Sequence, residues 1–369
     1  MNETAAVLVL NVGSSSVKFG VLAADETLSV LTDGRVTGIG SRPRLTFDGQ
    51  PGQRLEDGLD LAGAIEQVLA KLRQQPGWRL VAAGHRIVHG GEEFRRPVLL
   101  DAERLDRLER YVPLAPLHQR HNLNAVRALA ESFPALPQVG CFDTAFHADH
   151  DLVTASYALP KALREHGIRR YGFHGLSYEW IAQVLAAQPG GAPERVIAAH
   201  LGNGASLCAL RAGQSIDTTM GMTALEGLPM GTRCGAIDPG AVLFMLRSLD
   251  LSVSEVQRLL HDESGLKGLS NGISDMAELL ASDSEAARLA VDYFILRSAQ
   301  KIAEMVVSLG GLDTLVFTGG IGENAATIRE RIQERLAFLP PFDVQVIPAD
   351  EERMIAQHTL ALLNRVERN

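Results

Sequence analysis

The sequence contains little cysteine, and the cysteines it has are not arranged for a shared task. Cys141, Cys208 and Cys234 are odd in number and lack the close spacing of zinc ligands. His147 and His150 are close in sequence, but no third ligand has a convincing spacing, so we expect no zinc site. Reduced thiols are the expected state, and they predict a cytoplasmic protein.

Long hydrophobic runs are missing from the start of the chain. The first apolar run, residues 5–10, has six residues and no basic segment before it. A signal peptide needs a longer run behind positive charges, and a membrane helix needs about 20 apolar residues. We therefore expect neither a secretory signal nor a membrane partner.

Positive charge is in deficit, since 35 Lys and Arg residues stand against 44 Asp and Glu residues. Nucleic-acid binding needs a clustered basic face, which a net charge of −9 does not favour. We expect no nucleic-acid partner. Small anionic ligands remain compatible with this charge, because single arginines can reverse the local potential.

Two segments of the chain repeat one pattern, and 369 residues are many for a single core. Residues 6–22 and 195–210 each contain an apolar run, a small-residue turn and a second apolar run. The turn at 12–16 joins two strands, whereas a Walker P-loop joins a strand to a helix. The two hairpins predict a duplicated fold, with two related domains facing each other across a cleft.

Between and after the hairpins, helical and strand-like patterns alternate as in α/β proteins. Asp238 followed by Pro239 predicts a helix start, and Ser252 with Glu255 predicts a capping box. The remaining patterns predict helices over 61–72, 123–129 and 176–187, and strands over 80–88 and 138–142.

A third glycine-rich segment follows the apolar run at residues 315–317. Gly319, Gly320 and Gly322 fall within four residues, and we expect a loop here followed by a helix that begins near Asn324. Because glycine has no Cβ, backbone N–H groups in such a segment can approach an anion or a flat base closely. The segment therefore predicts a nucleotide-binding cradle.

Several polar side chains stand where α/β proteins bind anions. Arg86 and Arg233 lie near glycines and suit two-point binding of a carboxylate or phosphate, although a structural ion pair explains Arg86 equally well. Asp143 follows a strand, either as a ligand-site carboxylate or as a cap or turn. His174 suits a site or an ordinary loop, and Lys18 suits phosphate binding or a solvated strand.

Eight motifs stand in a fixed order over nearly the whole chain: NVGSSSVKF (11–19), HRIVHGGE (85–92), LAPLH (114–118), FDTAFH (142–147), YGFHG (171–175), HLGNGAS (200–206), EGLPMGTR (226–233) and FTGGIGEN (317–324). Together they resemble the acetate kinase family of the sugar kinase, Hsp70 and actin superfamily. The resemblance implies an α/β fold of two duplicated ribonuclease H-like domains flanking an active-site cleft. It implies reversible phosphoryl transfer from ATP to acetate, giving acetyl phosphate and ADP, in a homodimer.

The resemblance also implies roles for individual residues at the acyl side of the reaction. Arg86 would hold the substrate carboxylate, with Val88 and Leu117 around its methyl group. His174 and Arg233 would stabilise the transferring phosphoryl group. The family designates the residue matching Asp143, the third catalytic residue, as a proton donor or acceptor.

Metal and nucleotide binding are implied by the same resemblance. Asn11 and Glu351 would hold Mg²⁺, or Mn²⁺ in its place. ATP or ADP would be bound by Lys18, His200, Leu201, Gly202, Asn203, Gly204, Asp275, Gly320, Ile321, Gly322, Glu323 and Asn324.

The chemistry of the reaction questions the role of Asp143. A carboxylic acid titrates near about pH 4, so acetate is already ionised at neutral pH and needs no base to activate it. We therefore hypothesise that Asp143 positions Arg86 or a metal-bound water.

Some positions depart from the family's usual pattern. Met276 and Ala277 replace a usual Phe-Arg pair, which leaves the preference for a nucleotide base open. Ala224 replaces a proline that borders the substrate methyl group, and a smaller residue predicts some tolerance for propionate. Gln119 begins a segment that replaces Asn-Pro-Pro.

We expect residues 1–146 plus 352–369 to form the substrate and phosphate domain, and residues 147–351 to form the nucleotide domain, with closure on nucleotide binding. A propionate or butyrate kinase of the same family is the alternative enzyme. An ATP-binding regulator of the superfamily would keep the glycine turns but would not need Arg86 and Arg233.

Overall fold

The computed structural model of the chain describes residues 3–13, 15–75, 77–116 and 118–366. The chain divides into two compact units, Met1–Ala145 with Asp350–Asn369 and Phe146–Ala349. Each unit is built around one β-sheet with helices packed on it. The assignment of substrate and phosphate binding to one domain and nucleotide binding to the other stays a prediction.

The strands of the described residues form an eight-stranded sheet in the first unit and a five-stranded sheet in the second. They are β1 (Thr4–Val12), β2 (Ser16–Ala23), β3 (Val30–Thr37), β4 (Arg44–Phe47), β5 (Gln53–Arg54), β6 (Trp78–Ile87), β7 (Val98–Leu99), β8 (Gln138–Phe142), β9 (Arg195–Leu201), β10 (Ala205–Arg211), β11 (Gln214–Thr218), β12 (Thr314–Thr318) and β13 (Asp343–Val346).

The helices alternate with the strands along much of the chain. They are α1 (Leu61–Arg73), α2 (Ala102–Glu109), α3 (Gln119–Ser132), α4 (Leu152–Ala155), α5 (Lys161–Arg164), α6 (Gly175–Ala186), α7 (Pro239–Ser248), α8 (Val253–Asp262), α9 (Gly265–Leu269), α10 (Met276–Leu280), α11 (Glu285–Leu309), α12 (Gly319–Asn324), α13 (Ala326–Arg335) and α14 (Glu351–Val366).

The two sheets share one five-strand arrangement. The first contains the order β3-β2-β1-β6-β8, and the second has the order β11-β10-β9-β12-β13. In each, the strand in the middle of this order, β1 or β9, pairs antiparallel with the strand that follows it in the chain, β2 or β10. On its other side it pairs parallel with β6 or β12. The predicted α/β fold with two duplicated domains is therefore confirmed.

The core of the first unit lies between the antiparallel strands and α1. The helix begins after Asp60, whose side chain accepts a hydrogen bond from the Gly63 amide, and it buries the apolar face that the sequence predicts. Ile65 and Leu69 of that face pack with Phe19 of β2. Burying side chains of this size contributes about 1.5–3 kcal/mol each, so the apolar spacing alone accounts for the helix position.

Helix α14 returns from the end of the chain to the sheet of the first unit. Ile355 and Thr359 are buried against β6, where a Cβ on Gly84 would lie 2.5 Å from Ile355 Cγ2 and 2.4 Å from Thr359 Oγ1. No larger residue fits at that position of the strand, so Gly84 permits the close approach of helix and sheet.

Helix starts of the second unit follow their local signals. Asp238 caps α7 before Pro239, and Ser252 forms a reciprocal capping box with Glu255 at α8, as predicted. The longest helix, α11, ends at Gly310, whose φ of 72° lies in the left-handed region that glycine adopts easily.

The expectation of a loop at the third glycine-rich segment was wrong. Gly319 to Asn324 form helix α12, and α13 follows after Ala325. One residue makes the whole turn from strand to helix, because Gly319 adopts a φ of 76°. The amides after this turn therefore belong to the first turn of a short helix.

None of the helices within the described ranges combines the length and the apolar content that crossing a membrane requires.

Candidate active site

Arg86 and Asp143 form an ion pair at the ends of two parallel strands of the first unit, with Asp143 buried and Arg86 partly exposed. Arg86 lies in β6 opposite Cys141 of β8, and Asp143 directly follows β8. Arg86 Nε lies 2.9 Å from Asp143 Oδ1, and Nη2 lies 2.7 Å from Oδ2. Burial works against the charged form of Arg86, but the charges of Asp143 and Glu351 outweigh it and raise the pKa of the guanidinium.

The third nitrogen of Arg86 faces the two predicted metal ligands. Arg86 Nη1 donates to Asn11 Oδ1 over 3.3 Å and lies 3.5 Å from Glu351 Oε2. Both ligands present oxygen, which Mg²⁺ prefers, and Mg²⁺ usually takes one or two protein oxygens with water and phosphate. The oxygens of Asn11 and Glu351 thus fit this metal. Among the described residues, no group of three or more His, Cys, Asp or Glu is arranged to hold a metal ion.

Lys18 stands at the start of β2, beyond the first glycine turn. Its Nζ lies 2.8 Å from Glu352 Oε1 while its side chain stays 57% exposed. The turn is closed by a hydrogen bond from the Gly13 amide to the Ser16 carbonyl. Ser14 of this turn lies outside the described residues.

The two residues that follow β6 are held by side chains of α3 that the sequence interpretation missed. The Val88 amide donates to Asn122 Oδ1 over 3.0 Å, and Asn122 Nδ2 donates to the Val12 carbonyl over 2.7 Å. Gln119 likewise binds both the N–H and the C=O of His89. The sequence signal for these contacts is the presence of two polar residues, Gln119 and Asn122, on the apolar face of α3. Leu117, predicted at the substrate methyl group, lies outside the described residues.

His174 and Arg233 converge on the second hairpin turn, within the second unit. The Cβ position of Gly204 lies 3.3 Å from His174 Nε2 and 3.9 Å from Arg233 Nη1. His174 precedes α6 with a left-handed φ of 58°, and its ring stacks on His200 with the centroids 4.3 Å apart. The turn therefore has two nitrogen-bearing side chains beside it, as phosphate binding requires.

The loop next to Arg233 is held by the carboxylate of Glu226, for which the sequence predicted no role. Arg233 Nη1 donates to the Ala224 carbonyl over 2.9 Å. Glu226 of the same loop accepts from Arg170 over 2.7 Å and from the Tyr157 hydroxyl over 2.5 Å. Burial, followed by the hydrogen bond to Glu226, raises the pKa of Tyr157 to about 12. This loop is thus a structured support for Arg233.

The ends of β9 and β12 bring the second hairpin turn and helix α12 together. Thr318 pairs with His200 across the parallel strands, and the Cβ position of Gly202 lies 3.7 Å from the Gly320 amide nitrogen. The carboxylate of Glu323 is already engaged, because Oε1 accepts from the amides of Gly319 and Ala349. The predicted nucleotide residues 200–204 and 320–324 are therefore neighbours.

Asp275 is the last predicted nucleotide residue, and its carboxylate caps a helix. Oδ1 accepts from the amides of Ala277 and Glu278 at the start of α10. Met276 is buried, whereas Ala277 is exposed and has no side-chain donor. The side chain of residue 277 therefore cannot donate a hydrogen bond to a nucleotide base.

His147 and His150 share a hydroxyl group. Each has one ring nitrogen 2.8 Å from Ser215 Oγ, and His147 Nε2 lies 3.0 Å from the Phe173 carbonyl. Burial lowers the pKa of His147 to about 3 and that of His150 to about 4. His147 thus supports the backbone next to His174, and His150 shares its hydroxyl partner.

Comparison with known proteins gives matches over nearly the whole chain. The family model of the acetokinase family matches residues 6–340. The chain is 49% identical to an acetate kinase of Nitrobacter hamburgensis, covering 97% of this chain and 96% of that protein. It is 44% identical to an acetate kinase of Rhizobium meliloti, covering 97% and 98% respectively.

Two solved structures are similar at comparable coverage. A propionate kinase from Francisella tularensis subsp. tularensis has a TM-score of 0.90 and 37% identity, over 97% of this chain and 99% of that chain. The acetate kinase of Porphyromonas gingivalis has a TM-score of 0.85 and 35% identity, over 97% and 100%.

Proposed function

The chain belongs to the acetokinase family, and we propose that it transfers a phosphoryl group reversibly between ATP and acetate, with Mg²⁺, giving acetyl phosphate and ADP. An oxygen of the acetate carboxylate attacks the γ-phosphorus of ATP, and the bond from that phosphorus to the bridging oxygen of ADP breaks. The proposal depends most on one observation, the Arg86 guanidinium, which is fixed by Asp143 while its side chain stays 24% exposed. A fixed cation with an accessible edge suits the binding of a small carboxylate.

The first unit supplies the acceptor and metal residues in this proposal. Arg86 binds the carboxylate of acetate, and Val88 borders its methyl group. Asn11 and Glu351 hold Mg²⁺, which neutralises charge on the phosphate oxygens when it is bound. Lys18 is close enough to the first turn to contact a phosphate of the nucleotide.

The second unit supplies the residues that act on the transferring group and the nucleotide. His174 and Arg233 donate hydrogen bonds to the phosphoryl oxygens, where negative charge is spread in the transition state. Backbone amides of residues 200–204 and 320–324 contact the nucleotide, as helix starts and tight turns do for phosphates. Asp275, which caps α10, completes the proposed nucleotide site.

Asp143 acts in this proposal through Arg86 and not by proton transfer. Its two oxygens accept three hydrogen bonds from the guanidinium. A carboxylate held this way orients a cation, and the acceptor of the reaction carries no proton to remove.

A second candidate substrate is propionate, favoured by Ala224 at the substrate loop and by the similarity to a structure described as a propionate kinase. Acetate stays the first proposal, because the curated relatives named above are acetate kinases.

We further propose a homodimer in the cytoplasm. None of the ten residues of α7 is buried in the single chain, although Leu243 and Phe244 are apolar and exposed. Large apolar side chains exposed next to each other favour a protein contact. Size-exclusion chromatography with light scattering should give twice the chain mass, and Phe244→Glu should halve it. A monomeric wild type would contradict this assignment.

An acyl-phosphate trap tests the activity directly. Purified protein, ATP, Mg²⁺ and hydroxylamine are incubated with formate, acetate, propionate or butyrate, and the hydroxamate is measured. We expect the fastest product formation with acetate and none without ATP. Arg86→Gln should lose most of the activity while it stays folded by circular dichroism. Hydroxamate formation from none of the four acids would refute the proposed function.

A further inference from the structure

A short chain of buried hydroxyl groups ends on His174, and the proposed function gives these groups no role. The Tyr178 hydroxyl oxygen lies 2.5 Å from Ser206 Oγ, and Ser206 Oγ lies 2.8 Å from His174 Nδ1. Both Tyr178 and Ser206 are fully buried. Tyr178 stands one turn after His174 in α6, and Ser206 pairs with His200 across β9 and β10. A strand thus brings one hydroxyl to His174 Nδ1, and a helix brings a second hydroxyl to the first.

The other sides of the His174 ring are also constrained. The ring stacks on His200 at an interplanar angle of 24°, and His200 Nδ1 lies 2.9 Å from Ser177 Oγ. The backbone of His174 has a φ of 58°, which costs free energy for a residue with a side chain. Strain of this kind persists only where the surrounding contacts hold it, and it concentrates at functional sites.

The hydroxyl at Nδ1 decides which nitrogen of His174 carries the proton. A neutral imidazole has one donor nitrogen and one acceptor nitrogen. If Ser206 donates to Nδ1, the proton is on Nε2, which lies beside Gly204 and Arg233. A donor at that place stabilises a phosphoryl oxygen, whereas an acceptor would repel it. The stack on His200 disfavours protonation of both rings at once, because two imidazolium rings in contact would repel each other.

We propose that Tyr178 and Ser206 are positioning residues for phosphoryl transfer. Tyr178 donates to Ser206, Ser206 donates to His174 Nδ1, and the Nε2–H bond of His174 is directed at the transferring phosphoryl group. No covalent bond changes in this chain of hydroxyls, which acts through orientation and tautomer alone. The inference depends on the proposed function in one respect, since it takes His174 as the residue that contacts the phosphoryl group.

The tautomer can be observed without any substrate. In protein labelled with ¹⁵N at histidine, the signals of His174 are assigned by comparison with His174→Gln. We expect a protonated Nε2 and an unprotonated Nδ1 in the wild type, and a mixture of both tautomers in Ser206→Ala. A protonated Nδ1 in the wild type, or an unchanged spectrum in Ser206→Ala, would overturn the proposal. This result does not require that the protein be active.

Kinetics then separate positioning from a general structural effect. We expect Ser206→Ala to lower kcat by about 100-fold, as small misplacements of catalytic groups do, with KM for acetate nearly unchanged. Tyr178→Phe should lower it in the same direction by a smaller factor. In a His174→Ala background, Ser206→Ala should have little further effect, because each change removes the same interaction. An equal loss in both backgrounds would contradict the proposal.

Ser298→Ala is the matched control for removing a buried serine hydroxyl. Ser298 lies in α11 of the same unit, is fully buried and makes no hydrogen bond to the described residues. It should keep the wild-type kcat and the wild-type His174 spectrum. A wild-type protein without acyl-phosphate activity would instead refute the proposed function, and the spectrum would still report on the hydroxyl chain.

Discussion

Arg86 binds Asp143 at two points, with Nε donating to Oδ1 over 2.9 Å and Nη2 donating to Oδ2 over 2.7 Å. The carboxylate is 2% exposed, and the guanidinium is 24% exposed. The buried partner therefore fixes the plane of the exposed one, and Nη1 is left on the side of Asn11 and Glu351. This geometry favours a role for Asp143 in positioning Arg86 over a role in proton transfer.

The first prediction concerns Asp143→Asn. The amide keeps the volume of the carboxylate but places a donor against the donors of Arg86. Removing one partner of a buried charge pair costs about 3–5 kcal/mol, equivalent to roughly 100-fold to several thousand-fold, and the part that misorients Arg86 should lower kcat/KM for acetate by at least about 100-fold. Because no proton transfer is lost, the profile of kcat against pH should keep its shape. Loss of a limb with a carboxylate pKa would sink this interpretation.

Asp313→Asn is the matched control for that experiment. Arg195 also binds Asp313 through Nε and Nη2, but the two side chains are 38% and 33% exposed and lie away from the proposed site residues. Water screens such a pair, so the change should leave kcat near the wild-type value.

The second prediction concerns the size of the acyl pocket. Ala224 is smaller than proline, and one methylene group changes binding in an apolar pocket by only about 1–3 kcal/mol. Propionate should therefore react with a kcat/KM above about one-thousandth of the value for acetate. Ala224→Pro should lower the value for propionate more than that for acetate. A wild-type ratio below this limit would disprove the enlarged pocket.

The third prediction concerns the nucleotide base. Ala277 is exposed at the start of α10 and has no donor, so ATP and GTP should differ in kcat/KM by less than about 100-fold. Ala277→Arg adds a planar side chain with several donors and should lower KM for ATP. Ala281→Arg, at the exposed end of the same helix, is the control for added charge. Equal effects of both arginines would show that charge alone is responsible.

The fourth prediction concerns acid stability. Burial lowers the pKa of His85 to about 4, so the folded protein keeps this histidine neutral while the unfolded chain protonates it below about pH 6.5. Between these values the unfolded chain binds more protons, so the free energy of unfolding falls by about 1.4 kcal/mol for each unit by which the pH is lowered. Urea midpoints at several pH values should show a weaker dependence in His85→Gln. His166→Gln, an exposed change, should keep the wild-type slope.

Much of the fold follows from local patterns. The two hairpins, the strand at 138–142 and the caps at Asp238 and Ser252 all formed where the residues predict them. Each depends on interactions within a few residues, such as apolar alternation or a side chain bonded to a nearby amide. The helical conformation of residues 319–324 was missed, because a single glycine with φ of 76° replaces the expected loop.

The support of the candidate site was much harder to predict. Asn122 contacts Val12 across 110 positions, and Glu226 contacts Tyr157 across 69. Partners so far apart in sequence are set by strand order, which no local pattern contains. Residue types alone indicate which side chains suit the chemistry, whereas the residues that hold them are visible only in three dimensions.

Because the first unit contains both early and late residues of the chain, α14 joins its sheet late in biosynthesis. The ribosome makes all of the second unit before it makes Ile355 and Thr359, which cover β6 in the first. Until then, the first sheet has an apolar face without its helix and lacks Glu351, so a nascent chain has neither a finished core nor both proposed magnesium ligands. Translation of one late helix thus completes the stability of this unit and the metal-binding part of its proposed site together.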